Sequence, residues 1–290
     1  MDTRTINRYL EAGKVGRMAR DLAISMAEPG VSLLEIARKV EGLILNNGAK
    51  PAFPLNISVN NEAAHYTPSH NDKRVLRTGD VVKMDIGAHV DGCISDTAAT
   101  VEVGGRGLYS DLIESTREAL DRAISLVRPM QLIRNIGREI GTTIESYGYH
   151  PVKNLGGHGL DLFDLHSSIF IPNYDDGNSR PLSPGIAIAI EPFASTGVGM
   201  VHSGQMGNIY IMNGTKPPEN DEVYRRFKTL PFAERWVYDI LEKPEVYLKT
   251  MFRRRLISQF PVLREHRGTM IAQSEHTLLV LSDRVIVTTK

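Results

Sequence analysis

The chain has 290 residues, 41% hydrophobic and 23% charged, enough to build a sizeable core in one large domain or two modest ones. Lys plus Arg and Asp plus Glu both number 34, so the net charge gives no reason to expect nucleic acid as the main ligand. The single cysteine, Cys93, excludes an internal disulfide and a cysteine-cluster metal site, and no apolar run approaches the roughly 18 residues of a membrane span. The first residues lack the basic-then-apolar layout of a signal peptide, which together with one cysteine predicts a cytoplasmic protein.

Val15, Met18, Leu22 and Met26 fall at helical spacing, and Glu28-Pro29-Gly30 closes that first helix. Ser32-Leu33-Leu34-Glu35 has the pattern of a capping box and opens a second, with Leu33, Ile36, Val40 and Leu43 on one face. Asn46, Asn47 and Gly48 stop it. A strand-rich stretch follows from Phe53 to Val103, with turn signals at Asn60-Asn61, Gly79-Asp80 and Asp91-Gly92. The same order then recurs. Ser110 to Val127 reads as a helix; Leu132, Ile136, Ile140 and Ile144 make another, ended by Gly148; strands run from Pro151 to about Val201. Two similar halves around one sheet is the economical reading, although pattern alone fits an unrepeated α+β chain about as well. Residues 212–260 are charged and helical in pattern, with Glu234-Arg235-Trp236 and Arg253-Arg254-Arg255. They predict a helical insertion, over about 205–268, into a single domain of residues 1–290. Strands are expected to resume at Thr269.

The candidate chemistry lies in the strands. In Val81–Gly87, alternation sets Val82, Met84 and Ile86 on one face and Asp85 on the other. The two-residue turn Asp91-Gly92 then pairs Asp85 with Ala98 and Asp96 with Gly87, so the two aspartates share a face as diagonal neighbours. Such a pair is more often solvated surface, but three other segments change the weighting. Ile186, Ile188 and Ile190 alternate with Ala187, Ala189 and Glu191, which leaves space above the alanines and an acid at its end. Ile271, Gln273, Glu275 and Thr277 alternate likewise near the C-terminal end. Asn154–Leu160 holds His158 among three glycines, which permits close backbone approach. Asp85, Asp96, His158, Glu191 and Glu275 form a hard donor set, suited to two adjacent divalent ions.

Six segments resemble the methionine aminopeptidases: His65-Tyr66-Thr67-Pro68, Lys83–Gly87, Ser95–Ala98, Gly157-His158-Gly159, Ile190–Phe193 and Gln273–Thr277. Each is short; six in order across nearly the whole chain are specific. The run Thr229–Trp236, Phe260–Leu263 and the insertion resemble the type II branch in its short archaeal form. Ser274, where an aromatic is expected, and Leu165, where isoleucine is commoner, depart from the pattern and concern the lining of the site.

The resemblance implies the pita-bread α+β fold, a curved, mainly antiparallel sheet backed by paired helices in two pseudo-symmetric halves. It implies two divalent ions (cobalt, manganese, iron or zinc): Asp85 on one, Asp96 and Glu275 bridging, His158 and Glu191 completing the second, and a hydroxide between them as nucleophile. Glu191 would shuttle the proton, His166 stabilise the oxyanion, His65 contact the substrate backbone, and Phe53 and Leu165 line a methionine pocket. The expected reaction removes the N-terminal methionine from peptides and nascent chains whose second residue is small. The expected protein is a monomer near the ribosome, without membrane or specific nucleic-acid partners. His70, His89, His150 and His266 receive no role, and His202 is the one that could flank the cleft mouth. Two alternatives remain: a proline-specific aminopeptidase, which would normally carry a separate N-terminal domain, and a non-enzymatic relative that binds RNA through the arginine run.

Overall fold

A computed structural model describes residues 1–214 and 221–290, so residues 215–220 of the expected insertion lie outside the described residues. The first half comprises α1 (Thr3–Ser25), α2 (Leu33–Asn46), β1 (Lys50–Pro51), β2 (Asn56–Val59), β3 (Glu62–Ala64), β4 (Val81–Val90) and β5 (Cys93–Glu102). The order repeats in α3 (Ser110–Leu126), α4 (Ile133–Ser146), β6 (His150–Pro151), β7 (Gly156–Asp161), β8 (Asp164–Pro172), β9 (Ile186–Ile190) and β10 (Phe193–Ser195). Then come β11 (His202–Met212), α5 (Glu222–Phe227), β12 (Phe232–Ala233), α6 (Glu234–Tyr238) and α7 (Pro244–Arg253). The chain returns through β13 (Ile257–Arg264), β14 (Ile271–Gln273), β15 (His276–Val280) and β16 (Val285–Val287).

Each half packs a helix pair on the outside of its strands. Ile36, Val40 and Ile44 of α2 meet Met84, Ile86 and Ala88 of β4 and Ile57 of β2. In the second half, Ile133, Ile136, Ile140 and Ile144 of α4 meet Ile188 and Ile190 of β9 and Leu278 of β15. Hence β4 and β9 each bury one alternating row under helices and turn the other row inward, toward the partner half. Phe53, Ile94, Leu160, Leu165, Ala187 and Ala189 fill the seam between the halves. Every ladder among the described residues is antiparallel. No described helix is long and apolar enough to cross a membrane.

Three local expectations need correction. Ser32 is the N-cap of α2, but its side chain makes no capping bond; Glu35 pairs instead with Lys39 at 2.7 Å, one turn along. The strand read through Ile271–Thr277 breaks between β14 and β15. There the Ser274 N–H donates to the Pro192 carbonyl and the Glu275 N–H to that of Ala98, so the chain passes from one sheet to another at Glu275. The segment read as helical is entered and left through a β-ribbon, β11 against β13, with register shifts between Ser203 and Met206 and between Met206 and Tyr210. Within that segment β12 pairs with β11, and the returning strand β13 begins at Ile257 rather than Thr269.

Candidate metal centre

The hairpin β4–β5 turns through Asp91 and Gly92, with φ of 49° and 90°, the left-handed pair that a type I′ turn needs. The register follows: Asp85 pairs with Ala98 and Asp96 with Gly87. Gly87 is glycine because a Cβ there would lie 2.2 Å from the Phe53 ring. Across the seam, a Cβ on Gly156, Gly157 or Gly159 would come within 2.4 Å of Ile171 O, Ala189 O or Ser167 Oγ. Bare backbone at these positions lets β7 lie tight between β8 and β9 and carry His158 to the seam.

There the ligand candidates meet. His158 Nε2 is 3.6 Å from Asp96 Oδ2 and 3.7 Å from Glu191 Oε1. One donor atom each of Asp96, His158 and Glu275 lies within 4.8 Å of the other two. Gln273 Nε2 donates to Glu191 Oε2 at 3.2 Å and to Glu275 Oε2 at 3.3 Å. Asp96 is fixed from behind: its N–H donates to Thr277 Oγ1 at 2.7 Å, and the Thr277 hydroxyl returns a bond to its carbonyl at 2.8 Å.

Burial sets the electrostatics. It raises the Asp85 carboxyl to about 6. It lifts Asp96 well above the usual range, helped by the charges of Asp85 and Glu191. Glu191 rises through burial and the Asp85 charge, and Glu275 through burial and then Asp96 and Glu191. Burial and then His166 hold His158 down to about 3, so it is a neutral imidazole with a free donor pair. Asp85, Asp96, His158 and Glu191 open into a cavity of about 430 Å³ that no Lys or Arg among the described residues lines, with Glu275 buried beside it. Asp85 Oδ1, Asp96 Oδ1 and Glu275 Oε1 are buried without a hydrogen-bond partner. Four clustered carboxylates with no cationic side chain among the described residues, three with an orphaned oxygen, fit divalent ions and little else.

The same cavity is lined by Phe53, His65, Leu165 and His166. The His166 ring lies edge-on to His158, centroids 4.4 Å apart. His65 adopts a left-handed φ of 67°, packs edge-on against Phe260 at 5.1 Å, and is held down to about 4 by burial and then His166. His202 lies outside the lining of the cavity, its ring 6.0 Å from that of His266. Ser274 does not line it either and bonds to Thr116 of α3 at 2.8 Å, so a bulky aromatic there would strike the helix. Of the arginine run only Arg253 is helical; Arg254 caps α7 and Arg255 takes φ 58°, and all three are exposed. Gln273 lies within the Gln273–Thr277 segment, yet its bridging of two carboxylates has no signal in that pattern. Asn56, paired with Asp85 across β2–β4 and lining the cavity, was not foreseen.

Comparison with known proteins agrees with this geometry. The metallopeptidase family M24 pattern matches residues 7–228, and the chain belongs to that family. Over its full length it is similar to the methionine aminopeptidases of archaea. That of Pyrococcus abyssi is 44% identical, covering 98% of this chain and 99% of the relative, and that of Methanocaldococcus jannaschii is 41% identical over 100% of both. The chain is thus a hydrolase of the metallo-exopeptidase kind. The crystal structure of the Thermotoga maritima methionine aminopeptidase superposes with a TM-score of 0.75 at 24% identity, covering 100% of this chain and 98% of that one. A thermophilic Arx1 reaches 0.86 at 15% identity, over 99% and 91%. Both show the pita-bread fold. The Pyrococcus horikoshii prolidase (TM-score 0.66, 20% identity, 100% of this chain) is covered over only 62% of its length, so over a third of it has no counterpart here.

Proposed function

We propose that the protein removes N-terminal methionine from peptides whose second residue is small, using two divalent ions held by Asp85, Asp96, His158, Glu191 and Glu275. The observation that carries this reading is the clustering of four carboxylates and one neutral imidazole, of which Asp85, Asp96, Glu191 and His158 line a cavity with no cationic side chain among the described residues. Asp96 and Glu275 would be shared between the ions, with Asp85 on one side and His158 and Glu191 on the other. Cobalt, manganese, iron or zinc would suit these donors. Bound there, such ions lower the pKa of water and polarise a carbonyl.

The chain's own groups do the rest. Glu191 takes the proton of the attacking water and delivers it to the leaving amine. His166 donates toward the oxygen that gains charge in the transition state. His65 contacts the substrate backbone, while Phe53 and Leu165 receive an unbranched thioether. Crowding of the second residue between His65 and the ligands favours Gly, Ala and Ser there. The substrates would be nascent chains in the cytoplasm, and the domain 1–290 with its insertion would act as one unit.

Hydrolysis of model peptides by metal-reconstituted protein tests the reading. Met-Gly, Met-Ala and Met-Ser peptides should release methionine rapidly, Met-Lys and Met-Phe very slowly, and N-acetylated or N-formylated peptides not at all. Equal cleavage of Met-Phe and Met-Ala peptides, or a preference for Xaa-Pro bonds, would overturn it.

A further inference from the structure

The run around Glu234-Arg235-Trp236 lies outside the ligand cluster, yet its side chains reach back to the segment that carries His65. Arg235, buried at 3% exposure, sends Nη1 to Thr67 Oγ1 at 2.8 Å and to the Pro68 carbonyl at 2.9 Å. Its Nη2 pairs with Glu41 of α2, whose carboxylate also accepts from the Leu55 N–H at 3.1 Å and from Trp236 Nε1 at 2.8 Å. One residue before Arg235, Glu234 accepts from the His70 N–H at 3.0 Å and meets His70 Nδ1 at 2.8 Å. Tyr238 stacks on the His70 ring, centroids 3.7 Å apart. Asn208 of β11 donates to the Thr67 carbonyl at 3.1 Å. Nearer bonds also hold the strap 65–70, from the Ile57 N–H to the Tyr66 carbonyl and from the Thr67 hydroxyl to the Leu55 carbonyl. Its far end, however, is fastened to residues more than a hundred positions away, while its first residue holds a left-handed φ. Such a conformation persists only where the surroundings over-determine it.

We infer that Glu234 and Arg235 are positioning residues for His65: the helical segment after β12 clamps the strap so that the His65 ring stays in the cavity wall. This rests on the role given to His65 under the proposed function. A fork-shaped guanidinium is required, because it must reach two strap oxygens and a carboxylate at once; an ammonium would keep the charge pair and lose the fork.

The test is a double-mutant cycle on metal-loaded enzyme with Met-Ala-Ser, reading kcat, KM, bound metal by calorimetry, and melting temperature. Arg235→Lys should keep both metals and lower kcat/KM by roughly 10- to 100-fold, the cost of displacing a positioned group. In the His65→Ala background the same substitution should cost nothing further, because the clamp acts through that ring. Should Arg235→Lys melt below the assay temperature, Glu234→Gln, at the outer end of the strap, should show a smaller loss with the same vanishing in His65→Ala. Losses that multiply against an impaired His65→Ala enzyme, or a folded Arg235→Lys with unchanged kcat/KM, would overturn the clamp alone. An unimpaired His65→Ala enzyme would overturn both the clamp and the role given to His65.

Discussion

Asp96 sits in a position that is costly without a cation: buried, facing the charges of Asp85 and Glu191, with one oxygen unpartnered. Its folded-state pKa is raised, so ionising it as pH climbs above the ordinary carboxylate range weakens the metal-free fold. Asp96→Asn keeps the shape and removes that charge. At pH 7 the metal-free variant should melt no lower than metal-free wild type, while the rise in melting temperature on adding manganese or cobalt should disappear, with turnover. A metal-free Asp96→Asn that melts several degrees lower would show that the carboxylate serves the fold. His166 has the opposite profile, since it donates no bond to the ligand cluster and faces the cavity. His166→Ala should lower kcat by roughly 100- to 1,000-fold with little change in KM, the signature of a contact realised in the transition state. An unchanged kcat would remove it from the reaction.

At the scale of the element, β7 depends on its glycines. A Cβ on Gly157 would stand 2.3 Å from Ala189 O, so Gly157→Ala must push β7 away from β9 and should cost about 1–3 kcal/mol in urea unfolding, with loss of metal affinity. Gly48, left-handed at φ 78° with nothing near its missing Cβ, is the control. Gly48→Ala should cost about 1 kcal/mol through backbone strain and leave metal binding intact. The β4–β5 turn carries its own pH dependence. Gly92 N–H donates to His89 Nδ1 at 3.2 Å, which requires a neutral ring, and burial, then Lys50 and Lys228, hold His89 down to about 4. Because the folded pKa lies below the ordinary 6.5, this stability is present above 6.5 and is lost as pH falls toward 4, up to about 2 kcal/mol between pH 7 and 5. His89→Asn should narrow the gap in melting temperature between those pH values. The hairpin itself was legible because a two-residue turn fixes register by counting. The break at Ser274–Glu275 was not, since alternation continues across it and only the Ala98 and Pro192 carbonyls reveal the change of sheet.

For the molecule as a whole, the repeat read from pattern corresponds to the two helix-backed halves, down to the short strands Lys50–Pro51 and His150–Pro151 that follow each second helix. What pattern could not give was the long-range work of the later segments. Register shifts and the polar, glycine-containing run His202–Asn208 hid β11, and the bonds between Glu234, Arg235 or Asn208 and the strap join positions with no local sequence signal. The candidate ligand cluster spans Asp85 to Glu275, and the bond that steadies Asp96 continues outward: Thr277 N–H donates to Thr289 Oγ1 at 3.2 Å, and that hydroxyl also meets His276 Nδ1 at 2.8 Å. A copy of this chain emerging during synthesis thus exposes Asp85, Asp96, His158 and Glu191 long before Glu275 and Thr289 exist to complete the cluster. Under the proposed function, no partly made copy would carry a complete cluster, so any early trimming of new chains would fall to finished molecules acting in trans.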